Sequence, residues 1–526
     1  MPVSLRRAGL GLGWCLALLA VGAPSATAGE LGKAVSVKPA ANGAKRLTYR
    51  VGPFDVRPGQ NEIAYNLISQ KPQVDGYITR IRPDLTYLNG RVPGVDVIHL
   101  HHGVWVNASR KDATDPALAE RFFASGEEKT RMQLPKGYGY PYKASDTWIL
   151  NHMIHNLTPV PTQVYMVYEI DFIPKSSPAA RGIRPVRPIW MDVHNGSVYP
   201  VFNAEKGAGP SGRFTFPDDA ANPYGGGSKR NEWVVDRPGV LVATAGHLHP
   251  GGLYTDLYLR RPGAQIHPAR CGTKASASAR RRCRREAPRG SGDTAHLFRS
   301  RAKYYEPAGA VSWDVSMTAT KPNWRVELRK GDVLGVKATY DTSRASWWES
   351  MGINPLTYMA YGGRGVDPFK HRVDYKGVVT HGHLPENGNH GGGPTGLPDP
   401  RTLPDGADNP STLDILDFKY QFGDGSLGDA PPVIHAGQAL TFRNGDDGRS
   451  IYHSITSCKP PCNRSTGIAY PIADGDVQFE SSTLGSTSLP ATGATEWKTP
   501  DNLSPGTYTY FCRIHPFMRG SFRVKP

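Results

Sequence analysis

Short runs of alternating apolar and polar residues, cut by glycine and proline, are the feature that most constrains the fold of this chain. Its 526 residues include 59 glycines and 46 prolines. Long amphipathic helical patterns are scarce, whereas runs such as 440–444 and 508–511 alternate with the two-residue period of a strand. The sequence therefore predicts an all-β protein, and its length predicts about three domains.

The last of these runs leads into a compact group of metal-binding residue types. Cys512, His515 and Met518 follow one another at three-residue intervals, and His453 lies on an earlier alternating run. Two imidazoles, a thiolate and a weak axial thioether are the ligands of a blue-copper electron-transfer site, and they favour copper over magnesium or calcium. The sequence thus predicts a type 1 copper site at these four residues. A structural zinc site or a buried free cysteine is the alternative.

Residues 411–526 resemble the cupredoxins, the family of plastocyanin, amicyanin and azurin, in these four ligands and their order. The short Cys-x₂-His-Pro-Phe-Met loop is most similar to that of amicyanin. The resemblance implies a Greek-key β-sandwich that transfers electrons, with a redox partner protein or a small reductant as its partner. A multicopper oxidase is not indicated, because Cys512 is flanked by Phe511 and Arg513 rather than by histidines.

The cysteine count agrees with a free thiol at Cys512. Of six cysteines, Cys15 lies near the N-terminus. Four others are close enough in sequence to form two small disulfide loops, Cys271 with Cys283 and Cys458 with Cys462. Cys512 then remains as the odd thiol. The alternative is that one pair stays reduced.

The N-terminus predicts export. Two arginines precede an apolar run, and the Ala-Thr-Ala segment at 26–28 is typical of signal-peptide cleavage. The run is too short and too glycine-rich for a stable membrane anchor, and no later stretch is apolar enough to span a membrane. We therefore expect a signal peptide at 1–28 and a secreted or otherwise extracytoplasmic protein without stable membrane insertion.

The net charge of +16 is partly local, because Arg280–Arg285 is a nearly continuous basic block interrupted only by Cys283. A solvated basic loop is one interpretation of this block, and contact with an anionic surface is the other. No nucleic-acid-binding motif or interleaved aromatic residue accompanies it, so we expect no nucleic acid as a partner.

Upstream of residue 371 the histidines cluster. Adjacent histidines of a strand point to opposite faces, so His101 and His102 share a metal only where the backbone bends, which Gly103 allows. In His-x-His, by contrast, both imidazoles project from one strand face. The ligand-type residues are, in chain order, His101, His102, His152, Met153, His155, His247, His249 and Met351.

This order resembles the copper type II monooxygenases, which include peptidylglycine α-hydroxylating monooxygenase and dopamine β-monooxygenase. The stress up-regulated Nod19 family is more similar still, through its Leu-His-His-x-Val, Trp-x-Leu-Asn and His-x-His-x-Gly-Gly segments. The resemblance spans roughly residues 45–365. It implies two jelly-roll-like β-sandwich domains, which we place at 29–180 and 181–370, with two additional mononuclear copper sites.

The resemblance also implies the ligands of both sites. His247, His249 and Met351 would hold the copper that uses dioxygen, and His101 and His102 would hold an electron-storing copper with a third ligand. The family histidine falls at Met153 in this sequence. His155, two residues on and on the same strand face, is the substitute that we expect, and Met153 and His152 stay open as alternatives.

A connector rich in histidine, glycine and proline, 371–410, precedes the cupredoxin-like region. His381, His383 and His390 have ligand-like spacing within it. A further metal site and a polar linker with incidental histidines are both compatible with this pattern.

Together these patterns predict a secreted copper redox protein. A type 1 centre would supply electrons to a monooxygenase-like module that uses dioxygen, with His247, His249 and Met351 as its catalytic ligands. The alternative is a non-enzymatic copper-binding, electron-carrier or stress-related protein, whose upstream sites are structural or sequester copper. The sequence does not indicate a substrate.

Overall fold

The computed structural model describes residues 31–526 with several gaps. The gaps are residues 159, 198, 267–275, 280–286, 306–308, 388–397, 418, 421–429, 450, 463–471, 473–474 and 486–492. The signal peptide, the Cys271–Cys283 bridge, the arginine block and His390 therefore lie outside the described residues. Within them, no helix is long and apolar enough to cross a membrane.

The expectation of an all-β protein is confirmed, since strands dominate the described elements and the helical segments are single turns. The 3₁₀ turns span Ala41–Gly43, Pro178–Ala180, Pro210–Gly212, Pro385–Asn387, Pro400–Thr402 and Asp447–Arg449. The strands of the described residues fall into three successive sandwiches, which we call the first, second and third sandwich, and the strand counts given for each refer to those residues.

The first sandwich contains ten strands. They are β1 (Ser36–Pro39), β2 (Lys45–Val56), β3 (Asn61–Ile68), β4 (Gly76–Tyr87), β5 (Ile98–Lys111), β6 (Ala119–Gly126), β7 (Met132–Gln133), β8 (Tyr138–Tyr142), β9 (Trp148–Asn156) and β10 (Thr162–Pro174). Strand β10 shows why they form, because Val164, Met166, Tyr168 and Ile170 are buried at every second position. One sheet has the order β1-β2-β10-β4-β8, and the facing sheet has the order β3-β9-β5-β6.

The second sandwich contains sixteen strands. They are β11 (Arg184–Pro188), β12 (Met191–Asp192), β13 (Phe202–Ala204), β14 (Arg213–Phe216), β15 (Glu232–Val234), β16 (Gly239–Ala243), β17 (Gly252–Arg260), β18 (Gly290–Ser291), β19 (Thr294–Tyr304), β20 (Val315–Ala319), β21 (Val326–Leu328), β22 (Val333–Asp341), β23 (Trp347–Ser350), β24 (Ile353–Asn354), β25 (Tyr358–Ala360) and β26 (Val378–Val379). A parallel pair between β8 and β11 continues the β1 sheet into β25, β16 and β21. The first two sandwiches therefore share one sheet, and the other main sheet of the second sandwich has the order β14-β22-β17-β19-β20-β26.

The third sandwich contains nine strands. They are β27 (Thr412–Leu416), β28 (Lys419–Tyr420), β29 (Val433–His435), β30 (Thr441–Asn444), β31 (His453–Cys458), β32 (Glu480–Leu484), β33 (Glu496–Lys498), β34 (Gly506–Phe511) and β35 (Arg519–Lys525). Its sheets have the orders β28-β27-β30-β33 and β29-β35-β34-β31-β32. A bridge between Cys458 and Cys462 confirms the expected disulfide, and Cys512 is a buried free thiol.

A buried ion-pair cluster stabilises the second sandwich. The guanidinium of Arg261 donates to both carboxylate oxygens of Asp332, at 2.8 and 2.9 Å, and to Asp367 at 2.8 Å. All three residues are buried. Removing one partner of a buried pair leaves uncompensated charge in a medium of low dielectric constant.

We predict that Arg261→Met lowers the free energy of unfolding by about 3 kcal/mol, because the buried carboxylate of Asp332 loses its counter-charge while Asp367 keeps its pair with Arg329. The matched control is Lys321→Met, which removes the more exposed pair with Asp374 and is expected to cost about 0–1 kcal/mol. Chemical denaturation followed by near-ultraviolet circular dichroism measures both. Equal effects of the two substitutions would contradict this account.

Candidate metal centres

The predicted C-terminal ligands come together where two strands and one loop meet. His453 begins β31, and Cys512 directly follows β34 and opens the loop that leads to β35. The Sγ atom of Cys512 lies 3.9 Å from Nδ1 of His453 and 3.7 Å from Nδ1 of His515. The two Nδ1 atoms are 3.3 Å apart. These three side chains are fully buried, and so is Met518.

These spacings fit a metal ion. Bonds of about 2.0 Å to nitrogen and about 2.3 Å to sulfur, arranged trigonally, place two nitrogens about 3.5 Å apart and a nitrogen and a sulfur about 3.7 Å apart. The observed separations match these values. A thiolate and two imidazoles that converge through Nδ1 suit copper, with the loop bringing the thioether of Met518 into the same core.

Neighbouring groups prepare the thiol for this role. The backbone N–H groups of Ser454 and His515 donate to Sγ of Cys512, each at 3.4 Å. Burial raises the pKa of Cys512, but hydrogen bonds and charge from His453 and His515 outweigh it and hold the pKa well below its usual range. The group is therefore set up as a thiolate, which is the form that binds metals.

The second nitrogen of each histidine ligand is anchored. Nε2 of His453 donates to Asp446 at 3.0 Å within the third sandwich. Nε2 of His515 donates to the carbonyl of Gly59, in the first sandwich, at 3.1 Å. Such contacts fix the tautomer and the orientation of a metal-binding imidazole. One nitrogen of His515 therefore faces the thiolate of Cys512, and the other faces the first sandwich.

A β-bulge separates His101 from His102. Strand β5 pairs Leu100 with Ile154 and His102 with Met153 of β9, which leaves His101 as the extra residue. The sequence predicted a backbone bend at Gly103, and the structure shows the irregularity at His101 instead. As a result His101 and His102 line two different cavities.

The two cavities divide both predicted upstream ligand sets. A cavity of about 210 Å³ is lined by His102, His247 and Met351. A smaller one of about 70 Å³, where all three sandwiches meet, is lined by His101, His155 and His249 together with residues of the third sandwich. The histidines still lie close together across the division, because the rings of His247 and His249 are 5.2 Å apart and those of His101 and His249 are 4.6 Å apart.

Most of these histidines have one anchored nitrogen and one open nitrogen. His102 donates to Asn151, His247 to Glu128, His249 to the carbonyl of Glu349, and His99 to the carbonyl of Val95. The opposite nitrogens are buried without a hydrogen-bond partner among the described residues. Neither ring nitrogen of His155 has a side-chain partner among the described residues, and the backbone of Ile514 lies next to the ring. Orphaned buried polar atoms of this kind need an explanation such as an ion.

The alternatives for the third ligand occupy different environments. His155 lies beside His101, with ring centroids 6.3 Å apart. His152 faces the other side of β9, where Nε2 donates to Asn66 and the ring packs on Phe54. Met153 is fully buried. The geometry favours His155 over His152 without deciding against Met153.

Sequence reasoning missed two acidic residues, Glu127 and Glu128. They follow β6 and are almost completely buried. One ligand atom of Glu127 lies within 4.8 Å of one ligand atom each of His101 and His249. Gly126 permits close packing of this turn, because a Cβ there would lie 2.5 Å from the carbonyl oxygen of His101 and 2.8 Å from the ring of His247. The signal in the sequence is an acidic pair two residues after the apolar run 122–124, beyond Ser125 and Gly126.

Burial determines the protonation states of the histidines that line the two cavities. It holds the pKa values of His101, His155 and His249 well below the usual range, so these imidazoles are neutral and able to act as ligands. Burial also lowers the pKa of His247, but the charge and hydrogen bond of Glu128 outweigh it and raise that pKa to about 9.

The connector histidines have a different environment. Nδ1 of His383 donates to Asp314 at 2.6 Å, and both ring nitrogens of His381 contact carbonyl oxygens, of Glu128 and Gly382. These contacts hold the connector against the first two sandwiches. They favour a structural role for both histidines.

Comparison with known proteins gives fold similarity alone. No protein-family model and no curated protein matches the chain. Among solved structures, a mutant of amicyanin in the Cu(I) form is 20% identical, covering 24% of this chain and 89% of its own, with a TM-score of 0.13. An oxidised amicyanin mutant is 22% identical, with the same coverage and TM-score.

A copper-containing nitrite reductase from Thermus scotoductus SA-01 is 14% identical, covering 56% of this chain and 59% of its own, with a TM-score of 0.15. At these identities and TM-scores the matches carry no argument about what this chain does. The case for a metal at the C-terminal site therefore rests on the ligand geometry.

We predict that the oxidised, copper-loaded protein absorbs strongly near roughly 600 nm, because thiolate-to-copper charge transfer produces such a band at a His₂Cys site. Cys512→Ser is expected to abolish the band while the upstream sandwiches stay folded. Met518→Leu is the control and is expected to keep the band, because the axial ligand is weak. A colourless wild-type protein fully loaded with copper would refute the assignment.

Proposed function

We propose that this chain is a copper redox protein in which the C-terminal site exchanges electrons with the buried histidine cluster of the first two sandwiches. One observation carries the proposal. The ring of His515 lies edge-on to that of His155, with centroids 6.1 Å apart. His155 in turn neighbours His101, which lies 4.6 Å from His249. A continuous row of imidazoles thus links the two candidate centres.

Residues of the third sandwich would hold the copper ion, and two contacts fix the position of the His515 ring. Copper held by His453, Cys512, His515 and Met518 would supply reversible one-electron chemistry. His515 is fixed at both nitrogens, and its ring is fully buried. Little reorganisation is therefore needed around it.

Specific contacts hold the third sandwich against the first two and so keep the ring of His515 next to that of His155. The side-chain amide of Asn61 donates to the hydroxyl of Tyr452, which itself donates to Glu349 at 3.2 Å. The guanidinium of Arg513 lies 4.4 Å over the ring of Trp348 and donates to Glu480 within its own sandwich. The first sandwich covers His515. Electrons that leave through the ring of His515 therefore reach an acceptor within the same chain more readily than a separate partner protein.

We also retain as proposals the secreted location and the division into domains at 29–180, 181–370 and 411–526. The Cys458–Cys462 disulfide supports an oxidising compartment. The reductant that reloads the C-terminal site would be a small molecule or a redox partner protein that reaches it from the third sandwich.

We predict that His155→Leu slows electron transfer from the reduced C-terminal site to upstream copper by about tenfold or more, equivalent to about 1.4 kcal/mol of activation free energy. The substitution removes the imidazole between His515 and His101 but keeps apolar bulk. Rapid reduction followed by recovery of the blue band measures the rate. The band itself is expected to persist, because His155 is not a ligand of that site.

The matched control is His152→Leu on the same strand. Its side chain faces away from the row and is bonded to Asn66, so the rate is expected to stay unchanged. A rate that falls with His152→Leu but not with His155→Leu would refute the proposed route.

A second function, oxidation of a small organic substrate with dioxygen, is favoured by the larger cavity. His102, His247 and Met351 line it, and Trp190 and Tyr199 contribute aromatic lining. Its volume suits a small apolar or aromatic molecule next to ligand-type side chains. This is the monooxygenase-like activity that the sequence resemblance implies. A pure electron carrier would have no use for such a cavity.

For this second function we predict that Met351→Leu lowers dioxygen consumption by the reduced protein about tenfold, because it removes a soft ligand that stabilises Cu(I). Leucine conserves the volume of methionine, so the cavity is kept. An oxygen electrode measures the effect, with the blue band as the control for integrity. Equal consumption by the two proteins would favour the carrier interpretation.

A further inference from the structure

The contact between the first two sandwiches contains a ligand set that neither sequence resemblance assigns. His101, Glu127 and His249 each offer one ligand atom, and these atoms all lie within 4.8 Å of one another. The side chains come from the bulge of β5, the turn after β6 and the segment that follows β16. The set therefore draws two ligands from the first sandwich and one from the second.

All three side chains are buried and incompletely satisfied. Their residues are 4%, 2% and 6% exposed, in chain order. Neither carboxylate oxygen of Glu127 has a hydrogen-bond partner on another described residue, and the same holds for Nδ1 of His101 and Nε2 of His249. Burial raises the pKa of Glu127 to about 8, so the carboxyl group is neutral without an ion, and a bound cation would take the place of its proton.

The neighbouring Glu128 is equally buried, but its carboxylate is hydrogen-bonded by the protein. Its carboxylate accepts hydrogen bonds from the N–H of Gly126 and from Nδ1 of His247. Two adjacent acidic residues of equal burial thus differ, because one is fully engaged by the protein and the other is left open toward two imidazoles.

His249 is already held in the form that binds a metal. Its Nδ1 donates to the carbonyl of Glu349 at 2.6 Å, which leaves a lone pair on Nε2. Glu349 adopts φ 52°, a left-handed conformation that residues with side chains rarely adopt. Tyr452 and Tyr199 hold its side chain. Anchoring one nitrogen on a carbonyl to free the other is typical of metal-binding histidines.

We propose that His101, Glu127 and His249 bind one divalent transition-metal ion, Cu²⁺ or Zn²⁺, and thereby join the first two sandwiches. Two imidazoles and one carboxylate form a donor set of intermediate softness that suits both ions. Ligand bonds of about 2.0–2.2 Å require the three atoms to lie within about 3.5 Å of one another, so binding needs the side chains to close by at most about an ångström. Met351 and His102 take no part, because they line the other cavity.

This site does not depend on electron transfer from the C-terminal site. It can be measured in full-length Cys512→Ser, Met518→Leu protein, where the C-terminal site has no sulfur ligand. Any ion held there by His453 and His515 is common to every variant built on this background. Failure of the electron-transfer proposal would therefore leave the result intact, and the reverse also holds.

The experiment titrates chelator-treated full-length protein with Zn²⁺, and separately with Cu²⁺, by calorimetry. Glu127→Gln, which keeps the shape of the side chain but removes its charge, is expected to weaken one binding event by at least about 100-fold. That loss exceeds the roughly 10–100-fold effect of residues that only support a ligand. The control Glu128→Gln is expected to retain this event. Retention in Glu127→Gln would overturn the proposal.

X-ray absorption of the Zn²⁺-loaded background protein decides the question even if Glu127→Gln does not fold. The proposed set predicts a shell of nitrogen and oxygen with two imidazoles and no sulfur. A sulfur neighbour would assign the ion to Met351 or Met153 and overturn the proposal. The ion is also expected to raise the unfolding temperature of the upstream sandwiches, because it joins them. An unchanged unfolding temperature at saturating Zn²⁺ would contradict the joining role.

Discussion

The structure depends on a single buried imidazole that serves two purposes. One nitrogen of His515 faces the thiolate of Cys512, and the other donates to the carbonyl of Gly59 in another sandwich. The geometry of the C-terminal site and the docking of the third sandwich are therefore coupled. A shift of this docking would rotate a ligand, and a distortion of the site would weaken the docking. Such coupling explains why the surrounding contacts, from Tyr452 to Arg513, are so specific.

The sequence predicted the fold class and the C-terminal ligand group because both are local properties. Alternation within short runs identifies strands, and Cys512, His515 and Met518 lie within one loop, so their proximity does not require tertiary reasoning. The pairing of His453 with them needed only the assumption that two strands are neighbours. The contacts of His515 with Gly59 and His155 were beyond reach, because they depend on how separate sandwiches dock.

The upstream sites were predicted by order along the chain, and tertiary structure arranges the same residues differently. A one-residue bulge at His101 sends two adjacent histidines into separate cavities, and no periodicity argument places a bulge. Glu127 was overlooked because an acidic pair after a strand is normally a solvated turn. Its burial arises only when the second sandwich covers that turn and brings His249 to it.

Histidines elsewhere in the chain can be compared with those of the two cavities, where some buried ring nitrogens lack a hydrogen-bond partner in the part of the chain that the structure describes. The histidines that hold the connector or brace a sheet are bonded to carboxylates or carbonyls, as His381, His383 and His296 are. The histidines of the two cavities each keep at least one buried nitrogen without a partner among the described residues, and Glu127 keeps two oxygens in that state. Single open nitrogens also occur outside the cavities, at His99, His152 and His194, so what distinguishes the cavities is that several open atoms converge there. Because unmade hydrogen bonds in a low-dielectric interior are costly, the open atoms are best explained by ligands that the polypeptide itself does not supply.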